Sequence, residues 1–231
     1  MNSDDLYDLE LLEQDYFPVL KKKSNLISSY LEGKKIIDIG CGNGNLLNFL
    51  KNKNLELFGT DYSKNYLIKA RKKIPRCEFF QADLLNEKFW KNHSNQYDSI
   101  ICSEVLEHLD DDLTALKNIH IILRKNGVLI ITVPALMSLY SEFDKKIGHY
   151  RRYSINKISK TLQIAGFKIE KIHYWNFFGM FGWFILFKIL KLNIKKTSSP
   201  ILGKILGNLL SLESKINFPI GQTIIIKARK L

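Results

Sequence analysis

The chain has 231 residues, 45% of them hydrophobic and 25% charged, with a formal net charge of +12 and an isoelectric point near 9.5. That length buries one sizeable core and no low-complexity linker divides it, so a single domain over residues 1–231 is expected. Three cysteines, Cys41, Cys77 and Cys102, are odd in number and spaced for neither a disulfide framework nor a zinc site, and they read as inert buried thiols.

The first 33 residues are expected to form an N-terminal helical cap. They open with Asp4, Asp5, Asp8, Glu10, Glu13 and Asp15 and no basic residue, and they lack the basic and apolar regions of a secretory leader, which predicts a cytoplasmic protein. Strand-type apolar runs follow at Ile36–Ile39, Glu56–Thr60, Glu78–Gln81, Asp98–Cys102, Val128–Val133, Phe167–His173 and Thr223–Ala228, with amphipathic stretches between the first five. Helices are expected from about Asn45 and over Asp110–Leu123, the latter stopped by Lys125-Asn126-Gly127. The alternation predicts an α/β fold with a mostly parallel sheet and helices on both faces.

The most informative stretch is KKIIDIGCGNG, Lys34 to Gly44, followed by Asp61 at the end of LFGTDYS. Glycines at alternate positions, Gly40, Gly42 and Gly44, let the backbone turn sharply and approach a ligand. Asp61 lies 21 residues beyond Gly40, where a carboxylate can accept both hydroxyls of a ribose. A dinucleotide fold wants GxGxxG for its pyrophosphate, but the pattern here is GxGxG, with Asn45 in the late slot.

This pattern resembles the first motif of the class I methyltransferases that use S-adenosylmethionine. The likeness continues through QADLLN, YDSIICSEVLEHL, LRKNGVLIITVPA and the final GQTIIIKARK, covering roughly Glu13 to Lys230. It implies a Rossmann-like seven-stranded sheet with an antiparallel last strand. It also implies S-adenosylmethionine as cofactor, held by Asp38, Gly40, Cys41, Gly42, Gly44, Asp61, Tyr62, Asp83, Leu84, Ser103 and Glu104. Asp61 would take the ribose, Asp83 and Leu84 the adenine, and Ser103 and Glu104 the methionine end.

A narrower resemblance is to bacterial methyltransferases with GHxRRY after the fifth strand, here FDKKIGHYRRYS from Phe143 to Ser154. Those proteins carry an aromatic pair and a basic cluster before the first strand, matched by Tyr16, Phe17 and Lys21–Lys23, with lysine where arginine is usual. The expected catalytic set is His149, Tyr150 and Arg152. His149 is the candidate base for an oxygen, nitrogen or carbon acceptor, or else a structural histidine pinning its loop. Arg151 and Arg152 would hold an anionic acceptor or pair with Asp144.

Glu104, Glu107 and His108 form ExxEH, expected to start a helix with both carboxylates on one face. No metal is expected, but with His149 these three are the alternative ligand set, as in magnesium-dependent small-RNA and quinone O-methyltransferases.

Residues 174–220 form an apolar and basic insertion between strands six and seven. Its uninterrupted apolar part is about 12 residues, short of the roughly 20 that span a bilayer. Ile201, Leu202, Ile205, Leu206, Leu209 and Leu210 share one helical face. From Lys188 onward there are nine basic residues and one acid, Glu213. The insertion reads as a lid, a dimer face or a peripheral contact with an anionic membrane, admitting a small-molecule or lipid-linked acceptor to a monomer or homodimer. Abundant Lys, Asn and Ile account for the basic surplus without selection for a partner, and nucleic acid is not the expected one.

Two competing readings remain. Tyr153 and Lys157 make a YxxxK string with Ser141 upstream, as in NAD(P)-dependent short-chain oxidoreductases, although their TGxxxGxG turn is absent. The other is a noncatalytic cofactor-fold scaffold at a membrane.

Overall fold

A computed structural model describes residues 17–190, 200–213 and 218–231. Tyr16 and the acidic residues before it lie outside the described part. Helix α1 (Phe17–Tyr30) occupies the place of the expected cap. Then follow β1 (Lys35–Ile39), α2 (Asn45–Leu50), β2 (Glu56–Asp61), α3 (Lys64–Lys73), β3 (Glu78–Gln81), α4 (Glu87–Lys91) and β4 (Tyr97–Ser103). After a short 3-10 turn (Leu106–His108) come α5 (Asp112–Ile122), β5 (Leu123–Pro134), α6 (Glu142–Lys146), α7 (Ile155–Ile164) and β6 (Phe167–Trp175). Helix α8 (Phe177–Trp183) runs on into a π-helical stretch (Phe184–Ile189), and α9 (Pro200–Glu213) precedes β7 (Thr223–Lys230).

The seven strands lie in the order β3-β2-β1-β4-β5-β7-β6. β1, β2, β3, β4 and β5 are mutually parallel, while β7 runs antiparallel to both β5 and β6. This is the expected Rossmann-like sheet with a reversed last strand. The central strands are near-continuous apolar runs because helices cover both of their faces. Alternation along each strand divides the core in two. Ile37, Ile100, Leu129 and Ile131 pack with Leu116 and Ile119 of α5, whereas Ile36, Ile101, Val128 and Ile130 pack with Leu47 and Leu50 of α2.

Side-chain caps start the helices where the chain leaves the sheet. Ser63, Asn86, Asp111 and Ser154 each accept a hydrogen bond from a backbone N–H three residues on, opening α3, α4, α5 and α7. At the far edge, Glu32 after α1 pairs with Arg229 (2.8 Å) and Lys227 of β7, and those partners hold its carboxyl down at about 2. Helix α1 also packs on α9, so cap and insertion meet above one edge of the sheet.

Three expectations are corrected. β5 begins at Leu123, not Val128, because Leu123 pairs with Tyr97 ahead of the Lys125-Asn126-Gly127 turn. Accordingly α5 ends at Ile122, before that turn. The ExxEH string does not start a helix: Glu104 has a left-handed backbone (φ 55) and donates its N–H to the Thr132 carbonyl (2.9 Å). Only a single 3-10 turn follows, and the helix waits for the Asp111 cap.

All three cysteines are free and buried. Burial pushes the Cys77 thiol up to about 12 and the thiols of Cys41 and Cys102 well above their usual range. Among the described residues no helix is long and apolar enough to cross a membrane.

Gly59 of β2 has no room for a side chain, since a Cβ there would lie 2.5 Å from Cε1 of the buried Phe79 ring. Gly59→Ala is therefore expected to destabilise the fold by about 1–3 kcal/mol, measured by urea unfolding. An unchanged midpoint would contradict this packing.

Candidate active site

The carboxyl ends of the parallel strands, together with the start of β7, open into one cleft of about 1080 Å³. In sheet order it is lined by Asp83 after β3, Asp61 of β2, Gly40 after β1, Ser103 of β4, Pro134 of β5 and Thr223 of β7. Ligands of open α/β sheets bind at this edge. Val19, Leu20 and Lys23 of α1 and Gly179, Gly182 and Trp183 from α8 complete the wall.

At the β1–β2 end, the turn after Ile39 is held by the neighbouring strand. The N–H groups of Gly40 and Cys41 both donate to the Thr60 carbonyl (2.8 and 3.0 Å). Asp61 accepts from the Gly42 N–H through Oδ2 and from the Ser63 N–H through Oδ1, each at 2.8 Å. Gly42 adopts φ +52, and a Cβ placed on it would meet nothing within 4 Å. Its main chain therefore faces open cleft, as a close-fitting ligand requires. Each Asp61 oxygen keeps acceptor capacity beyond its one backbone bond.

Asp38 lies behind this turn, only 3% exposed. Burial, and then the nearby charge of Asp61, raise its carboxyl to about 8, partly offset by Lys23. Lys23 reaches across the cleft from α1 to Glu104 (3.2 Å). Glu104 also accepts from the Thr132 hydroxyl (3.0 Å), while Ser103 and Thr132 share a hydroxyl contact of 2.8 Å. Burial would raise the Glu104 carboxyl, but Lys23 and Thr132 outweigh it and hold it below its usual range. Asp83 is exposed and closes a turn by accepting from the Leu85 N–H (2.9 Å).

The other end is organised by Asp144, which is fully buried. Its Oδ2 accepts from the N–H and hydroxyl of Ser141 (2.9 and 3.0 Å), opening α6 with a capping box. Its Oδ1 accepts from His149 Nδ1 (3.0 Å) and from Nε and Nη2 of Arg152 (2.8 Å each). Burial alone would raise this carboxyl, and these partners bring it below its usual range. The Arg152 guanidinium in turn lies over the Trp183 ring at 4.7 Å.

With His149 Nδ1 turned to Asp144, its Nε2 stands 3.9 Å from Oε1 of Glu107. Glu107 is completely buried, and its carboxyl has the Glu104 carboxyl as neighbour but no N–H donor to either oxygen. Burial, and then the charge of Glu104, push its pKa well above the carboxylate range, so it holds a proton. The His108 ring, on an exposed residue, meets that of His149 edge-on at 4.6 Å, and partial desolvation with the neighbouring imidazole lowers its pKa. Glu107, His108 and His149 offer ligand atoms within 4.8 Å of one another, so three of the four alternative metal ligands converge and Glu104 does not join them.

Most expected cofactor residues line the cleft: Asp38, Gly40, Cys41, Gly42, Asp61, Tyr62, Asp83, Leu84, Ser103 and Glu104. Gly44 does not; its φ of 78 makes it the left-handed N-cap of α2. His149 and Arg152 line the opposite end, whereas Tyr150 is 61% exposed and is not part of the lining. Arg152 pairs with Asp144, whereas Arg151 pairs with Asp112 (3.1 Å). Sequence reasoning missed Phe143, Ile147, Trp175 and Gln222 in the lining, because no local pattern distinguishes them from core or loop residues.

The YxxxK string assembles no hydride-transfer site. Tyr153 is fully buried away from the cleft, and its hydroxyl donates toward the Leu106 carbonyl (3.2 Å) and the Asp112 carboxylate (2.9 Å).

Residues 37–129 match the family model described as a methyltransferase domain. A ubiquinone biosynthesis O-methyltransferase of Actinobacillus pleuropneumoniae is 31% identical over 110 residues, 44% of this chain and 46% of that protein. One from Acinetobacter baylyi is 28% identical over 102 residues, 42% of each. The chain thus spans about half the length of the curated relatives it matches. Among solved structures, an S-adenosylmethionine-dependent methyltransferase of Archaeoglobus fulgidus superposes with a TM-score of 0.66 at 21% identity, covering 99% of this chain and 100% of that one. One from Thermotoga maritima gives 0.68 at 17%, covering 98% and 96%. Residues 37–129 thus match a methyltransferase-domain model, and the chain as a whole shares the fold of solved S-adenosylmethionine-dependent methyltransferases.

Because folded Asp38 holds its proton more tightly than the unfolded chain does, its contribution to stability is complete below pH 3.8 and declines as pH rises toward about 8. Asp38→Asn is therefore expected to gain stability relative to the wild type progressively across that window, by urea unfolding at several pH values. A constant difference would contradict a protonated Asp38.

Proposed function

We propose that the protein transfers a methyl group from S-adenosylmethionine to a hydroxyl oxygen of a largely apolar small molecule, with His149 as general base. The observation that carries this reading is the Asp144–His149 pair, in which Nδ1 is fixed by a carboxylate and the imidazole belongs to the cleft lining. The O-methyltransferase names of the partial relatives favour an oxygen acceptor.

S-adenosylmethionine, when bound, supplies an electrophilic methyl group on a sulfonium for in-line displacement. The chain's own residues position the reactants and move one proton. Asp61 and the Gly40–Gly42 turn fit the adenosine part, a carboxylate at one rim and bare main chain at the other. Lys23 and Glu104 offer opposite charges where the amino-acid end would lie. Phe143, Ile147, Trp175 and Trp183 give the acceptor an apolar, water-excluding wall. His149 Nε2 takes the hydroxyl proton, and Asp144 stabilises the imidazolium that results.

The Glu107 oxygens, which accept from no N–H, favour a second reading, in which a divalent cation at Glu107, His108 and His149 acidifies the acceptor hydroxyl instead. Dialysis against a chelator separates the two: full activity afterwards retains the base, and loss restored by magnesium or manganese favours the cation.

Cell extract incubated with the protein and methyl-labelled S-adenosylmethionine is expected to yield label in the solvent-extractable fraction. His149→Ala should slow that transfer by about 10²–10⁴-fold with cofactor affinity preserved. Unchanged transfer by a folded His149→Ala protein would remove the base, and no labelled product with any extract would favour the scaffold reading.

A further inference from the structure

Helix α8 has two different sides. Gly179, Gly182 and Trp183 line the cleft, while Phe181, Phe184 and Ile185 are between 41% and 49% exposed on the helix and its π-helical continuation. Further along, Ile189 and Leu190 are 58% and 54% exposed, and on α9 Ile201 and Ile205 are 74% and 50% exposed. Seven large apolar side chains thus face outward from one insertion, far more than the scattered exposed apolar residues of an ordinary surface. The insertion's own charges are mostly basic. Between Phe177 and Glu213 the sequence holds five lysines and one acid, Glu213, which is 6% exposed and whose Oε1 accepts from the Phe177 N–H (2.9 Å). Lys188 donates to the carbonyls of Ser138 and Tyr140, so no carboxylate among its described partners neutralises it.

We propose that this outward face docks on an anionic phospholipid bilayer, with Phe184, Ile185 and Ile189 entering the interfacial layer and Lys188 and Lys204 meeting lipid phosphates. An in-plane amphipathic contact needs an apolar face and cationic flanks and no spanning segment, which is the combination present here. Charge selects this occupant: Lys188 and Lys204, the described charged side chains beside these apolar residues, complement a negative lipid surface and would repel the same lysines of a second copy. The acceptor's route rests on the methyl-transfer reading and deepens it. Because the helix that touches lipid is also a wall of the cleft, a membrane-dissolved acceptor would enter alongside α8 without crossing water.

The test is flotation of the full chain with vesicles of phosphatidylglycerol and phosphatidylcholine, and separately with phosphatidylcholine alone. The wild type is expected to float with the anionic vesicles and to be released as salt rises toward ~1 M, where screening shortens to about 3 Å. The triple variant Phe184→Ser, Ile185→Ser, Ile189→Ser should bind at least roughly tenfold more weakly, and Lys204→Glu should weaken binding to anionic vesicles only. S-adenosylmethionine titration on the same samples is expected to give wild-type affinity, which shows that the variants fold. No flotation of a cofactor-binding wild type overturns the surface while leaving the methyl-transfer reading intact. A dimer that the triple variant dissociates, without vesicle binding by either protein, overturns it in favour of a second copy.

Discussion

The architecture of the cleft depends on one carboxylate. Asp61, at the end of β2, accepts hydrogen bonds from the main chain of its own turn at Ser63 and of the neighbouring turn at Gly42. Those bonds tie the glycine loop to the adjacent strand and fix where bare backbone meets open space. Behind this turn burial, and after it the neighbouring Asp61, raises the Asp38 carboxyl to about 8. Lys23 and Glu104 extend this arrangement across the cleft as a partly buried ion pair, which is favourable because Thr132 adds a further hydrogen bond.

The opposite end applies the same physics with the signs rearranged. Asp144 is buried and charged because Arg152, His149 and Ser141 all donate to it, whereas Glu107, buried without any such donor, keeps its proton. One carboxylate therefore orients the imidazole, and the other contributes a neutral wall beside Nε2. Trp183 couples this end to the insertion, since its ring carries the Arg152 guanidinium while its own helix faces outward on the far side. Displacing α8 would expose a buried cation and reshape the acceptor wall together.

What the sequence made legible follows from which forces are local. The central strands were readable because strands covered on both faces are continuous apolar runs, and the glycine turn and Asp61 because backbone geometry demands those residue types. The fourth strand's exit was misread. EVLEH has helical spacing, but Glu104 bonds to Thr132, 28 residues on, and that tertiary bond takes the backbone into the left-handed region. Leu123 was likewise captured by Tyr97 of β4 before the Gly127 turn could act as a boundary. At the site, Asp144 and His149 are five residues apart and their pairing is nearly local. The approach of His149 to Glu107 closes 42 residues and leaves no trace in either segment. Leu202 and Leu206, placed on the apolar face from periodicity, have side chains outside the described part.

Titration calorimetry of S-adenosylmethionine into the wild-type chain and into Asp61→Ala tests the central claim most directly. The predicted result is one molecule bound per chain, with the variant weaker by about 1.5–3 kcal/mol, the scale of hydrogen bonds to a charged group. Equal affinity in the two proteins, or a wild type that ignores S-adenosylmethionine and takes up NADH, would contradict it.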